Sequence, residues 1–369
     1  MASGPQVGDR ARAGGGLRPP IETVTLTDGG QSAADVADRL IPWLEAAERS
    51  LDLALYDVRL PGAVGDAVGD ALRAAARRGV RVRIAYNGED DGRRKPLPPP
   101  ARTEPPLLER LGVPLRAIPG VPDLMHHKYV VRDGTAVLTG STNWTLDSWT
   151  REENVIVTVE SAQLAHAYAR DFAQLWERGD VDGTGGFDVP PIGVGDATVR
   201  AWFCPGRGPE LAARVAKRVA QARRRVRIAS PVLTSAPLLA TLGETLAERR
   251  VDVVGVVDGT QVEQVFEQWR DNPASRWKGP LLGRVLEGFA FSGKRSTPYA
   301  PGAVHDYMHA KVVVADDVVF AGSYNLSRSG EDNAENVLEI RAPELADELA
   351  AFVEAVARAH PPVDLPRGY

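Results

Sequence analysis

A strand–helix–strand unit leading to a His-x-Lys motif is written twice in this chain, and that repeat restricts the fold more than any other feature. In the first half, the helix-like stretch AADVADRLIPWLEAAERS runs into the strand candidate LDLALYDV at 51–58, and GDAVGDALRAAARRG runs into VRVRIAYNG at 80–88. In the second, PELAARVAKRVAQARRR runs into VRIASPVL at 226–233, and PLLATLGETLAERR into VDVVGVVDG at 251–259. Helices of that length between strands fit right-handed crossovers, which set successive strands parallel. The expected fold class is α/β: two similar halves, each a mixed, mostly parallel sheet flanked by helices, packed as a pseudo-twofold. Residues 1–20, rich in Gly, Pro and Arg, read as a disordered tail. The halves then span 21–178 and 197–360, joined by a Gly/Asp/Pro-rich linker at 179–196.

Each half reaches its motif after an irregular insertion, at 88–124 and 260–307. The motifs are MHHKYVVRDGTAVLTGSTNW at 125–144 and MHAKVVVADDVVFAGSYNL at 308–326. The first gives His126, Lys128 and Asp133, then Gly140, Ser141 and Asn143, then Glu153 and Asn154. The second gives His309, Lys311 and Asp316, then Gly322, Ser323 and Asn325, then Glu335 and Asn336. Both follow H-x-K-x4-D and G-S-x-N, with a Glu ten residues beyond the Asn; the second is one residue shorter between Asp and Gly. Strand alternation puts each His and Lys on one side, and the hairpin can return the Ser hydroxyl and Asn amide to the same mouth. A fixed cation, neutral donors and an imidazole suit a phosphoryl group. Two copies face to face supply an imidazole on each side of phosphorus, as in-line displacement requires. The site is therefore expected between the halves.

The duplicated motifs resemble the signature of the phospholipase D superfamily over about residues 22–358. GSTNWT and the Glu-Asn pairs are most similar to its compact bacterial endonuclease and cardiolipin-hydrolase-like branch. The resemblance implies two phospholipase D-like halves and hydrolysis of a phosphodiester through a covalent phosphohistidine, without metal or other cofactor. It implies attack by His126, with His309 protonating the leaving oxygen and later activating water. Lys128, Lys311, Asn143 and Asn325 would hold phosphoryl oxygens, supported by Ser141 and Ser323. Glu153 and Glu335 would orient His126 and His309. Asp133 and Asp316 would be structural, in accord with a turn Asp that bonds its own backbone. The Glu-Asn pattern and the Arg93-Arg94-Lys95 run favour a nuclease acting on nucleic acid. The alternative is a phospholipase D that cleaves a phospholipid headgroup, by hydrolysis or transfer to an alcohol. A phosphate-binding module without catalysis is a third reading, against which two intact motifs argue. With both motifs in one chain, a monomer would hold a whole site.

Hydrophobic content of 43% and charged content of 25% fit a soluble globular chain, and runs such as VDVVGVV are strand-sized. With no apolar leader in the opening residues, a cytoplasmic protein is expected. A net charge of -5 argues against coating nucleic acid by bulk electrostatics and leaves room for a local basic groove. Cys204, the single cysteine, reads as a small core residue. A zinc site is disfavoured because lysines stand where ligands are needed. His127 alternates away from His126 and is expected to cap or pack. His305 and Asp306 are candidates for substrate contact or for holding a loop. Trp269, Trp277, Phe289 and Phe291 could form a lid, a stacking wall, a lipid-facing rim or ordinary packing. Arg223, Arg224 and Arg225 are expected to end a helix.

Overall fold

The structure, a computed structural model, describes residues 19–88, 105–248, 250–298, 300 and 303–366. Most of the expected tail (1–18) and the Arg93-Arg94-Lys95 run lie outside the described residues. The first half comprises β1 (Ile21–Leu26), α1 (Ala33–Glu45), β2 (Ser50–Leu55), β3 (Val58–Arg59), α2 (Gly62–Arg77), β4 (Arg81–Asn87) and α3 (Pro105–Glu109). It continues with β5 (Leu115–Ile118), β6 (Lys128–Arg132), β7 (Ala136–Gly140), β8 (Trp144–Thr145), α4 (Leu146–Thr150), β9 (Asn154–Glu160) and α5 (Ala162–Arg178). The second half opens with β10 (Ile192–Val194), β11 (Ala197–Cys204), α6 (Gly208–Gln221), β12 (Arg225–Ser230), α7 (Ala236–Glu248) and β13 (Asp252–Asp258). It closes with α8 (Gly259–Asp271), α9 (Lys278–Gly288), β14 (Ser292–Lys294), β15 (Val312–Ala315), β16 (Val318–Gly322), α10 (Arg328–Asp332), β17 (Glu335–Arg341) and α11 (Pro343–Ala359).

The two main sheets have the orders β1-β9-β7-β6-β2-β4-β5 and β10-β11-β17-β16-β15-β12-β13-β14. The crossovers give parallel strands where expected, β2/β4/β5 and β12/β13/β14. They occupy one flank of each sheet only. Each His-x-Lys segment enters antiparallel to its neighbour and folds back as a hairpin, β6/β7 or β15/β16, since short connections permit no other pairing. No described helix is long and apolar enough to cross a membrane.

Three cores hold the layers. One lies under α1 and α2 on the outer face of the first sheet, and a second under α6, α7 and α9 on the outer face of the other. The third is shared: Tyr129, Tyr168 and Phe172 of the first half bury with Phe203, Leu338 and Val353 of the second. The helix α1 forms where Ser32 and Asp35 make a reciprocal capping box ahead of the buried stripe Val36, Leu40 and Leu44. Ser161 caps α5, which ends on Gly179 in the left-handed conformation. Segment 179–196, expected as a linker, is no free tether. Val181, Phe187, Val189, Ile192 and Val194 bury in the shared core, an apolar set hidden among glycines and prolines.

Asp133 and Asp316 sit at hairpin turns with φ of 56° and 52°. Neither bonds its own backbone as expected. Asp133 accepts from the backbone N–H groups of Glu48, Arg49 and Ser50, and Asp316 from those of Arg223, Arg224 and Arg225. Each ties its hairpin to the start of the neighbouring strand, which is why an acceptor with two oxygens is needed there. The three arginines thus lead into β12, with Arg225 as its first residue, instead of ending a helix. The motif glycines are steric necessities: a Cβ on Gly140 would sit 2.0 Å from the carbonyl oxygen of Val155, and one on Gly322 2.1 Å from that of Asn336. Gly140→Ala and Gly322→Ala are each expected to cost about 2–4 kcal/mol of stability, read as a lowered urea midpoint at unchanged slope.

Candidate active site

Each motif is positioned by both halves. Met125 donates its backbone N–H to Asn87 Oδ1 at the end of β4, and Met308 donates to Asp258 Oδ2 at the end of β13, both at 3.0 Å. The first motif is also stitched to the chain entering β17. Leu124 N donates to Asn333 Oδ1 (2.9 Å), Ala334 N to Leu124 O (2.8 Å) and His126 N to Ala334 O (2.9 Å). The pseudo-symmetric bridge joins Met308 to Glu153 ahead of β9.

The side chains repeat this exchange. Glu335 reaches across from the second half, its carboxylate oxygens 2.8 and 2.9 Å from His126 Nδ1, and accepts a 2.5 Å bond from the Ser323 hydroxyl. His309 Nδ1 lies 3.1 Å from Asn154 Oδ1 of the first half, with a Glu152 oxygen at 3.4 Å. Asn154 accepts from the Ser141 hydroxyl (2.7 Å) and donates to Glu152 (3.1 Å). Both lysines are folded back alike, Lys128 Nζ donating to His126 O and Lys311 Nζ to His309 O at 2.7 Å. The Tyr56 ring packs edge-on against His126 (4.6 Å) and beneath Lys128 Nζ (4.7 Å). In each imidazole Nδ1 is the engaged nitrogen, which leaves Nε2 for chemistry.

This geometry corrects the expected pairing of Glu153 with His126 and Glu335 with His309. Glu335 holds His126. Glu153 instead accepts from Lys294 Nζ at 2.9 Å, away from either motif histidine. The cause is a register shift: Ile156 pairs with Gly140 where Val337 pairs with Gly322, so one extra residue precedes β9. Asn154, not Glu153, is the structural twin of Glu335, and the matching Glu-Asn letters align the wrong residues. Sequence reasoning therefore missed Asn154 as a ring partner, and Glu152 and Tyr56 beside it. Position at the C-terminal end of β2 is the signal that points to Tyr56.

Burial, then Lys128, Lys311 and His309, hold the His126 imidazole well below its ordinary pKa. Burial and the two lysines do the same to His309. The lysines are themselves lowered by burial, against the pull of Glu335 on both and of Glu152. Burial pushes Glu335 up to about 8, although Lys128 and the Ser323 hydroxyl pull it down. The two lysines and the two imidazoles act on one another in a buried setting that opposes charge, so an anion placed there would favour the charged form of the lysines. Asn143 and Asn325 keep buried side-chain oxygens without a partner among the described residues, so their amides hold unspent hydrogen-bonding capacity. Among the described residues no group of three or more His, Cys, Asp or Glu could hold a metal ion.

The remaining candidates sort by contact. His127 is fully buried, 3.1 Å from Asp171 and 3.2 Å from Asn336, and packs as expected. Asp306 accepts from Thr297, a loop role. His305 donates its backbone N–H to Asp147 Oδ2 at 3.1 Å. Phe291 is buried in the second outer core, and Trp269 and Phe289 pack against it. Trp277 alone of the four aromatics is exposed. Cys204 is buried, and burial raises its thiol well above the ordinary value.

Two α/β halves complete one another's imidazoles around paired lysines and so form one duplicated site. The family described as "Cardiolipin synthase, PLD-like domain" matches residues 40–176 and 215–356, and the chain belongs to this phospholipase D superfamily. It is similar to the mitochondrial cardiolipin hydrolases of Xenopus laevis (34% identical over 143 residues, 38% of this chain and 61% of that protein) and Homo sapiens (32% over 175 residues, 43% and 60%). The chain thus spans roughly three-fifths of the length of these curated relatives. In fold it is similar to phosphatidylserine synthase from Haemophilus influenzae Rd KW20 (TM-score 0.64, 15% identity, 92% of this chain and 86% of that one). Polyphosphate kinase from Porphyromonas gingivalis shares the fold at TM-score 0.55 and 15% identity, over 92% of this chain and 47% of that one.

A lysine whose pKa is lowered loses its charge as pH rises through that value, and anion binding goes with it. Affinity for inorganic tungstate is expected to fall as pH rises through neutrality, and to fall less in Lys311→Arg, whose charge does not titrate there; calorimetry at several pH values checks both.

Proposed function

We propose that the chain is a phosphodiesterase that hydrolyses a phospholipid headgroup ester through a phosphohistidine on His126, without a metal. The observation that carries the chemistry is the unequal pairing of the two rings. Ionised above its raised pKa, the Glu335 carboxylate on Nδ1 makes His126 the more basic imidazole and the better nucleophile; an amide on Nδ1 leaves His309 readier to release a proton. His126 Nε2 would attack phosphorus as His309 gives its proton to the leaving oxygen. The substrate's negative charge, set between Lys128 and Lys311, raises the His309 pKa enough for it to carry that proton. Neutral His309 would then take a proton from water, whose oxygen breaks the P–N bond and frees His126. The lysines with Asn143 and Asn325, supported by Ser141 and Ser323, would meet the phosphoryl oxygens. Halves 21–178 and 197–360 act in this reading as one catalytic unit.

For the substrate, the cardiolipin hydrolase relatives favour a lipid. Leu146 and Val304, 41% and 47% exposed on segments joined by the bond from His305 N to Asp147, add apolar surface that a lipid could meet. No described feature gives comparable support to nucleic acid.

The test is turnover in EDTA of phosphatidylglycerol and cardiolipin in mixed micelles, of single-stranded DNA and RNA, and of bis-p-nitrophenyl phosphate. Headgroup release is expected, lost by about 10²-fold or more in His126→Ala and His309→Ala. p-Nitrophenolate leaves without a proton, so His309→Ala quenched during turnover of that ester should retain an acid-labile phosphoryl group on His126. Cleavage of nucleic acid alone would replace the lipid reading, and no trapped phosphoenzyme would remove the covalent step. Asn154→Asp is expected to raise the His309 pKa and move the alkaline limb of kcat/KM upward by about one pH unit, measured on the same ester series with lipid leaving groups.

A further inference from the structure

The duplication provides an internal control on packing, and one region fails to match. In the second half, the space between α6 and the outer face of β11, β17 and β16 is filled. Trp202, Phe320 and Tyr324 are buried there, and Glu339 is clamped by Arg214 (2.9 Å), Arg218 (3.1 Å) and the Trp202 indole N–H (3.2 Å). Strand register identifies the first-half counterparts. Val24 opposes Ile156 as Trp202 opposes Val337, and Leu138 opposes Thr158 as Phe320 opposes Glu339. Thr142 follows the motif serine where Tyr324 does. Smaller side chains at four of these five positions, Val24, Leu138, Thr142 and Thr158, leave a cavity of about 540 Å³ beneath α1, which all four line.

We propose that this cavity binds one hydrocarbon chain of a phospholipid whose phosphate lies between the two motifs. The proposal rests on the phospholipid reading of the site. Lys128, Gly140 and Thr142 are among the residues that line the cavity, so a ligand held there adjoins the first motif. Its walls carry Val24, Leu138, Trp144 and Trp149, a surface that gains from covering methylenes. Charged residues, Glu22, Asp38 and Arg39 among them, lie along its lining as well, placing polar groups where a chain would emerge to solvent. The buried Thr142 hydroxyl has no partner among the described residues and can meet an ester oxygen at the head of the chain. A well-packed core would not retain such a void, since unfilled apolar volume destabilises a fold.

The test is to copy the second half into the first. Val24→Trp and, as a milder filling, Leu138→Phe are compared with the wild type on dipalmitoyl and dibutyryl phosphatidylglycerol in the same detergent, with thermal unfolding of each protein. Neither residue belongs to the phosphoryl-binding set. Expected are a drop of about tenfold or more in kcat/KM for the dipalmitoyl lipid, a change within about twofold for the dibutyryl lipid, and an unfolding midpoint that holds or rises. Equal losses on both lipids, or no loss on either in folded variants, overturn the cavity assignment and leave headgroup hydrolysis standing. A wild type that hydrolyses neither lipid overturns the functional reading itself, and the cavity assignment with it.

Discussion

Neither motif histidine finds its ring partner in its own half. Glu335 crosses to His126 and Asn154 crosses to His309, and the backbone bonds of Ala334 with Leu124 and His126 fix the crossing. The rest of the architecture serves that exchange. A buried carboxylate against a buried imidazole is tolerable only at good geometry with its other lone pairs satisfied, and the Ser323 hydroxyl provides such a bond. Holding the geometry needs two sheets that cannot drift apart, which the shared core of Tyr129, Tyr168, Phe203 and Leu338 secures. Asn336 adds a second polar tie, accepting from Thr139 (2.5 Å) and Tyr168 (3.1 Å) of the opposite half.

The duplication, the α/β class and the pairing of His with Lys were legible because they rest on strong local signals: a repeat, a change of hydrophobic period, and strand alternation at H-x-K. The identity of each ring partner was not. Glu153-Asn154 and Glu335-Asn336 read as equivalents, yet one inserted residue before β9 moves the first pair by a position, and in a strand one position reverses the face. Lys294 then takes Glu153. The same limit applies to the turn aspartates. Their importance could be seen, but the donors they meet, three successive N–H groups 83 to 93 residues away in the chain, are tertiary facts. That segment 179–196 buries as it joins the halves was hidden for a compositional reason, its few apolar residues being outnumbered by Gly, Asp and Pro while spaced to bury.

The halves have also diverged in what they pack. The second closes its outer face with Trp202, Phe320 and an Arg214–Glu339–Arg218 cluster; the first has Val24, Leu138 and Thr158 at those positions and keeps open space instead. Difference at the rings and difference in the walls fall on the same axis.

A twofold site has no front or back. A phosphodiester has two unlike ends, and a perfectly symmetric pair of motifs would accept it in either direction, with half of the encounters presenting the wrong oxygen to the proton donor. The carboxyl group on one ring and the amide on the other break that equivalence at the two imidazoles. Joined in one polypeptide, two copies of a motif can acquire a direction of reading that two identical chains meeting on an axis are denied.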